Sequence, residues 1–133
     1  MLSNIFPESH RDLFEDAKPA FAFLVTIMDD GSPQVTPVWF NTDGENILVN
    51  TARGRVKDRN MRQRPEVAMA IVDPDDPYRY VQVRGTVTGY TEEGADDHIN
   101  ALSAKYMGKE VYTWKSPEEV RVKYTIRPKS ITS

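Results

Sequence analysis

The sequence predicts a mainly β protein, built as a small barrel of six antiparallel strands with two or three short helices. Short runs of aromatic and β-branched residues alternate with Gly, Pro, Asn and Asp clusters, which is typical of strands joined by tight turns. The 133 residues are ordinary for one domain and can bury a single core without disulfides. No repeat, low-complexity tract or linker interrupts the chain, so we expect one domain over residues 1–133.

The N-terminal part is predicted to be a short helix followed by a three-stranded meander. The helix is expected from Pro7 to about Ala17. Three apolar runs then follow, separated by Asp-Asp-Gly at 29–31 and Thr-Asp-Gly at 42–44. The first run, Phe21 to Met28, is apolar on both faces, which indicates a strand covered by the barrel interior on one side and by a helix or a second subunit on the other.

The second strand is predicted to lie at an edge. Its side chains alternate between two faces, with Gln34, Thr36, Val38 and Phe40 on one and Val35, Pro37 and Trp39 on the other. Pro33 and Pro37 have no N–H to donate, so this strand must be at an edge, bulged, or paired on one side only. An open edge of this kind offers backbone groups to a ligand.

The middle of the chain predicts a strand that leads directly into a basic helix. The third strand, Ile47 to Thr51, is followed by a helical composition from Gly54 to Arg64, which Pro65 ends. Residues 66–73 form the next strand, and the prolines and acids of residues 74–80 predict a loop.

The C-terminal part predicts two strands with a helix between them. Residues 81–91 alternate buried and polar side chains, and Gly85 in this strand indicates a bulge or a close backbone approach. A helix follows, with Thr91 as the expected N-cap and Gly108 as its end. The last strand is expected within residues 120–128, where Val120, Val122, Tyr124 and Ile126 share one face.

Composition excludes several classes of protein. The absence of cysteine excludes disulfides and thiolate chemistry and fits a cytoplasmic location. His10 and His98 both lie in acidic, helical stretches, so we expect solvated surface histidines and no metal site. No apolar run approaches the length of a membrane span, and no signal peptide is apparent, so we expect no membrane association.

The segment from Arg53 to Arg64 concentrates positive charge. It holds six of the 17 basic residues of a chain whose net charge is -3. A chain that leaves a strand and enters a helix presents free N–H groups that favour an anion. Thr51 can add a hydroxyl, Arg55 a bidentate clamp and Lys57 a point charge, so the segment indicates a phosphate site. A solvated basic face is the alternative interpretation.

Three stretches carry a resemblance to a known family: Pro37 to Phe40, Thr51 to Asn60, and Asp73 to Arg84. Together they resemble the FMN-binding split-barrel superfamily, most closely its pyridoxamine-phosphate-oxidase-like branch that binds the deazaflavin coenzyme F420. The resemblance is good over Phe21 to Thr91 and looser elsewhere. It implies a six-stranded split barrel that forms a homodimer, with two cofactor sites in the grooves between subunits.

The resemblance also implies site residues. The phosphate binders would be Thr51, Arg55 and Lys57, with Val56 and Asn60 beside them. The residues along the flavin or deazaflavin ring would be Gln34, Thr36, Pro37, Val38 and Trp39. Tyr78, Arg79 and Tyr80 would reach the site from the partner subunit. From the residues alone, Trp39 would be interpreted as a core aromatic, and Tyr78 to Tyr80 are equally loop anchors or dimer contacts.

The function implied is an F420-dependent oxidoreductase that transfers a hydride to a small organic acceptor. F420 is favoured over FMN because its oligoglutamate tail needs charge beyond the phosphate, for which Arg53, Arg59, Arg62 and Arg64 are available. The alternatives are an FMN flavoprotein and a cofactor carrier without turnover. No catalytic residue is assigned, although a phenol such as Tyr78 or Tyr80 is a candidate proton donor.

Other activities fit the sequence poorly. It has no Ser-His-Asp set, no recognisable carboxylate pair and no glycine-rich phosphate loop, which argues against hydrolysis and kinase-type transfer. The acidic pI of about 5.4, and the lack of aromatics within the basic segment, argue against nucleic-acid binding.

Overall fold

Seven antiparallel strands form one curled sheet in a computed structural model that describes residues 2–133. The strands are β1 (Ala22–Ile27), β2 (Pro33–Val38), β3 (Phe40–Thr42), β4 (Ile47–Ala52), β5 (Glu66–Asp73), β6 (Asp76–Thr91) and β7 (Arg121–Thr132). Their order in the sheet is β2-β1-β5-β6-β7-β4-β3. A 3₁₀ helix (Glu8–Phe14) and two α-helices, α1 (Val56–Gln63) and α2 (Ala95–Met107), complete the described chain. The mainly β prediction is confirmed, with seven strands rather than six.

The additional strand arises because the predicted second strand divides at Trp39. Val35 on β2 pairs with Val25 on β1, whereas Phe40 on β3 pairs with Val49 on β4. Since β2 and β3 are the two edges of the sheet, the chain crosses from one edge to the other at Trp39. The edge position that the prolines predicted for β2 is confirmed, because a strand without those N–H groups pairs with β1 alone.

The predicted loop over residues 74–80 is wrong, because β6 already begins at Asp76. Local side-chain hydrogen bonds tighten the turn. Asp73 accepts the backbone N–H of Asp75 at 2.8 Å, and Asp76 accepts that of Tyr78 at 3.0 Å. These Asx-type hydrogen bonds close a tight turn after β5, so β6 begins where the composition predicted a loop.

Two of the helix predictions need correction. The N-terminal segment is a 3₁₀ helix over Glu8–Phe14 rather than a longer helix to Ala17. The helix α2 begins after Gly94, whose φ is 75°, and not at Thr91, whose hydroxyl instead accepts the N–H of Glu93 at 3.1 Å. Gly108 ends α2 in the left-handed conformation, as predicted.

The core lies inside the curl of the sheet, where Val122, Tyr124 and Ile126 of β7 are fully buried. The predicted close approach at Gly85 is confirmed: a Cβ there would lie 2.8 Å from Cγ2 of Ile126. The outer face of β1 is not covered within the protomer, and Phe21 and Phe23 are 45% and 41% exposed. Within residues 2–133, no helix has the length and apolar character needed to cross a bilayer.

Candidate functional site

A cleft of about 300 Å³ opens where the crossing at Trp39 meets the start of α1. It is also bordered by α2 and by the loop of residues 109–120. The lining residues are Phe21, Pro37, Val38, Trp39, Asn50, Arg55, Lys57, Ile99, Leu102, Tyr112, Trp114 and Arg121. One wall is therefore aromatic and apolar and contains Trp39, Tyr112 and Trp114. The other wall is cationic and consists of Arg55, Lys57 and Arg121.

The cationic wall is positioned by a tight turn before α1. Gly54 takes a φ of 91°, which reverses the chain directly after β4. Asp58, in the first turn of α1, is buried and accepts the Gly54 N–H at 2.9 Å and the Tyr124 hydroxyl at 2.6 Å. The turn is thereby anchored to the core, so that Arg55 and Lys57 at the helix start reach the cleft.

Positive charge in the cleft exceeds negative charge. Nη2 of Arg55 lies 3.0 Å from Oε1 of Glu119, and Nη1 of Arg121 also binds this carboxylate. Lys57 is half-buried and has no carboxylate partner within residues 2–133. Burial, together with the charges of Arg55 and Arg121, lowers the pKa of Lys57. A desolvated ammonium beside two guanidinium groups fits an anionic group such as a phosphate.

The aromatic wall is built around Trp39. Its ring stacks on Tyr106 of α2 with centroids 5.3 Å apart and planes 4° apart, while Tyr112 and Trp114 lie 6.1 and 6.2 Å away. Tyr106 is fixed in turn, because its hydroxyl donates to the Ala20 carbonyl at 2.6 Å. Burial raises the pKa of Tyr106, so it remains a neutral phenol that supports Trp39.

A series of buried hydrogen bonds holds Arg121 of the cationic wall in place. Nε of Arg121 donates to Oδ1 of Asn50 at 2.8 Å, and Nδ2 of Asn50 is 3.0 Å from Nδ1 of His98. Nε2 of His98 lies 2.8 Å from Oδ1 of Asn41. Since the amide Nδ2 can only donate and the amide Oδ1 can only accept, His98 is neutral and carries its proton on Nε2.

The prediction that His98 lies on the surface is therefore wrong. Only 7% of the residue is exposed, and burial near Lys123 and Arg121 lowers its pKa to about 4. The acidic residues around it in the sequence face solvent, whereas His98 faces β4 because helical periodicity turns it inward. It is a structural histidine held by two asparagines.

Five predicted site residues line the cleft together: Pro37, Val38, Trp39, Arg55 and Lys57. Five others lie nearby but do not line it: Gln34, Thr36, Thr51, Val56 and Asn60. The amide of Asn60 is buried and donates to Thr26 at 3.0 Å, so it has a structural partner. The hydroxyls of Thr36 and Thr51 are buried without a partner among the described residues.

Tyr78, Arg79 and Tyr80 lie on β6 and do not line the cleft of their own protomer. Arg79 contacts Asp12 at 2.7 Å and Asp73 at 2.8 Å, which ties the N-terminal helix to the β5–β6 turn. These carboxylates raise the pKa of Arg79 further. Tyr78 is 91% exposed. A contact of these residues with the partner subunit's cleft stays a prediction.

The sequence did not identify three residues of the cleft, the aromatics Tyr112 and Trp114 and the cation Arg121. Tyr112 and Trp114 lie in an irregular loop, where two aromatics close together are a signal for a binding surface. Arg121 alternates with apolar residues, a pattern that favours a solvent-facing side chain, but it is only 4% exposed. It is bound by Glu119, two residues earlier, and by Asn50, which is 71 residues away, and the sequence does not indicate this distant partner.

An open groove of about 690 Å³ continues from the cleft past Arg55 and Trp114. It is lined by Arg53, Gly54, Ser116, Glu118 and Glu119, among others. Arg62 and Arg64 do not line it: Arg62 binds Asp58 and Arg64 binds Asp29. Three of the four arginines proposed for a cofactor tail thus have other partners, because Arg53 forms an ion pair with Glu92.

Comparison with known proteins identifies the family. The sequence model of the family described as Pyridoxamine 5'-phosphate oxidase matches residues 6–128. The chain belongs to the pyridoxamine 5'-phosphate oxidase family. A protein named F420 Reductase is 33% identical and has a TM-score of 0.82, over 95% of this chain and 98% of that one.

More distant members of the fold confirm the architecture. A conserved hypothetical protein from Mycobacterium tuberculosis is 23% identical with a TM-score of 0.71, covering 98% of this chain and 87% of that one. HupZ from Group A Streptococcus is 18% identical with a TM-score of 0.64, covering 98% of each chain. The split-barrel fold predicted from the sequence is confirmed, and the pyridoxamine 5'-phosphate oxidase family is one of oxidoreductase-type proteins that bind flavins or deazaflavins.

Proposed function

We propose that this protein is an F420-dependent oxidoreductase that transfers a hydride between the deazaflavin and a small organic acceptor. The observation that carries the proposal is the pairing of an unneutralised cation, Lys57, with an aromatic cleft in one continuous site. The 33% identity to a protein named F420 Reductase supports the choice of cofactor.

The residues have separate roles in this proposal. Lys57 and Arg55 bind the phosphate, and Thr51, Val56 and Asn60 shape the turn and helix that hold them. The ring lies along β2 and the crossing, beside Gln34, Thr36, Pro37, Val38 and Trp39. The Trp39 ring is held by Tyr106, which makes this wall rigid before any ligand binds.

The open groove beyond Arg55 supports F420 over FMN. FMN ends at its phosphate, whereas F420 continues from a phosphodiester into a charged tail that needs an exit. The groove of about 690 Å³ leads from Arg55 to solvent and is lined by Arg53, which forms an ion pair with Glu92. Glu118 and Glu119 reduce the positive charge of this groove, so the tail would be held weakly and largely in water.

The chemistry divides between cofactor and protein. When bound, the reduced deazaflavin supplies a hydride to an electron-poor acceptor. The protein binds the phosphate, orients the ring, and excludes water with Tyr112 and Trp114 above the cleft. Tyr112 is the one tyrosine among the residues that line the cleft, whereas Tyr106 donates its hydroxyl to Ala20 and Tyr78 and Tyr80 would have to come from a partner.

A homodimer is part of the proposal. Phe23 on β1 and Val35 on β2 are 41% and 60% exposed and lie on an apolar face that is uncovered in the protomer. A second copy of this chain would bury this face and bring its own Tyr78, Arg79 and Tyr80 towards the cleft, which gives two shared sites.

A calorimetric titration of the purified protein with F420 and, in parallel, with FMN tests the proposal. Tighter binding of F420 supports it, while tighter binding of FMN identifies an FMN flavoprotein instead. Absence of binding to both would reject the cofactor site. To distinguish a carrier from an enzyme, the protein with reduced F420 bound is mixed with enone and quinone acceptors. Only an enzyme accelerates the oxidation of the cofactor relative to free reduced F420.

A further inference from the structure

Glu119 places a negative charge beside the cationic wall, in the open groove that continues from the cleft. Its Oε1 accepts from Arg55 at 3.0 Å and also binds Arg121, while its Oε2 accepts the backbone N–H of Ser116 at 3.2 Å. Only 8% of its side chain is exposed. The carboxylate is therefore held by three partners, of which Ser116 and Arg121 are its neighbours in sequence and Arg55 is 64 residues away.

The two guanidinium groups keep N–H groups free while they bind Glu119. Within residues 2–133, Arg55 donates only through Nη2, and Arg121 donates through Nε and Nη1. A guanidinium has five N–H donors, so both arginines can bind a phosphate without releasing the carboxylate. A phosphate bound at this wall would then lie beside Arg55, Lys57 and Glu119 together.

Repulsion from a fixed carboxylate grows in proportion to the charge of the bound phosphate. A phosphate monoester such as FMN carries close to two negative charges at neutral pH, whereas a phosphodiester such as that of F420 carries one. Glu119 therefore opposes a monoester about twice as strongly as a diester, in free energy.

We propose that Glu119 is a specificity-determining residue that favours phosphodiester cofactors over phosphate monoesters. This inference rests on the proposed function, because it assumes that the phosphate binds at Arg55 and Lys57. Glu119 achieves the selection by charge alone. It reduces the attraction of the three cations for a doubly charged phosphate about twice as much as for a singly charged one.

The test is a calorimetric titration of wild type, Glu119→Gln and Glu45→Gln with F420 and with FMN at one pH and ionic strength. Glutamine keeps the shape and the acceptor oxygen of Glu119 but removes its charge. We expect roughly a threefold gain in affinity for F420 and roughly a tenfold gain for FMN, the scale of one charge a few ångströms away in a largely hydrated site. The ratio of the affinity for F420 to the affinity for FMN is therefore smaller in Glu119→Gln than in wild type.

Glu45→Gln is the control, because Glu45 is exposed in the β3–β4 turn, lines neither the cleft nor the groove, and forms no ion pair within residues 2–133. It should leave the ratio of the two affinities nearly unchanged. Glu119→Asp keeps the charge and should keep most of the preference, which separates the loss of charge from a disturbance of Arg121. Thermal unfolding of each variant verifies that it is folded.

The outcomes separate the two proposals. If wild type prefers F420 and Glu119→Gln changes both affinities by the same factor, the role of Glu119 is overturned and the proposed function stands. If wild type binds neither cofactor, or prefers FMN, the proposed function fails and the selectivity assigned to Glu119 fails with it. If Glu119→Asp loses the preference as fully as Glu119→Gln, charge is not the cause and the inference is overturned.

Discussion

Arg121 and Asn50 form the central hydrogen bond beneath the candidate site, with Nε of the arginine 2.8 Å from Oδ1 of the asparagine. The amide of Asn50 also donates to the Ala95 carbonyl at 2.9 Å and lies 3.0 Å from Nδ1 of His98. The side chain of Asn50 on β4 thus connects Arg121 of the cationic wall with α2, whose Tyr106 stacks on Trp39 of the aromatic wall.

Replacing Asn50 by Ala should destabilise the protein strongly. The change leaves the buried Nε of Arg121 and the buried Nδ1 of His98 each without a partner, and we expect a loss of about 2–4 kcal/mol in the free energy of unfolding. Chemical denaturation measures the loss. Asn4→Ala, at an exposed position, is the control and should change stability little. A loss below about 1 kcal/mol for Asn50→Ala would mean that water replaces the amide.

His98 should make folding sensitive to mild acid. Its pKa is about 4 in the folded protein and 6.5 for the ordinary group, so between these values the unfolded chain binds the proton more tightly. Stability is then complete above pH 6.5 and falls as the pH decreases towards 4. Between pH 7.5 and 5, this group should reduce the free energy of unfolding by about 2 kcal/mol.

Denaturation of wild type and His98→Gln at the two pH values measures this contribution. Glutamine does not titrate, so the variant should lose about 2 kcal/mol less stability than wild type over the same interval. Equal pH dependence of the two proteins would show that His98 is protonated in the folded state or exposed to solvent.

Lys57→Ala should weaken binding of the cofactor without affecting the fold. Its ammonium has no carboxylate partner within residues 2–133, so its removal costs the protein no ion pair, while the phosphate loses a charge-assisted hydrogen bond of about 1.5–3 kcal/mol. Calorimetric titration and thermal unfolding measure the two effects. Lys129→Ala, whose lysine pairs with Glu66 in a different groove, should leave affinity unchanged. Unchanged affinity in Lys57→Ala would remove this lysine from the site.

Gly85→Ala and Gly89→Ala test the close approach between β6 and β7. A Cβ at Gly85 would meet Ile126 at 2.8 Å and the Arg127 carbonyl at 3.0 Å, whereas a Cβ at Gly89 meets nothing within 4 Å. Gly85→Ala should therefore lower the free energy of unfolding by about 1–3 kcal/mol, as overpacking does. Gly89→Ala should be neutral or slightly stabilising. Similar effects of both changes in denaturant titrations would contradict the predicted clash.

Val35→Lys should dissociate the proposed homodimer. The side chain is 60% exposed in the protomer, but a second copy on this face would bury its charge without a partner. Light scattering should then report a monomer, and tight cofactor binding should be lost because each site needs two chains. Val111→Lys, at a position 61% exposed in the loop after α2, is the control and should remain dimeric. A monomer that keeps full affinity would contradict the shared site.

Periodicity and turn chemistry in the sequence determined most of the secondary structure. The alternation in residues 81–91, the two prolines of β2 and the stop at Gly108 each predicted the observed element, because they act through neighbouring residues. The errors have different causes. Trp39 divides a strand because β3 pairs with β4 instead of β1, whereas β6 starts early at Asp76 because local Asx-type hydrogen bonds close the turn before it.

The residues of the candidate site also divide into those that the sequence predicts and those that only the tertiary structure identifies. By itself, the sequence determined the basic segment, with Arg55 and Lys57 at the start of a helix, because charge concentration and a strand-to-helix junction are local properties. Only the tertiary structure decided that Arg121, Asn50, His98 and Glu119 support this segment from below and beside it. Buried polar groups must find partners, and the partners are chosen by which strands and helices pack together rather than by position along the chain.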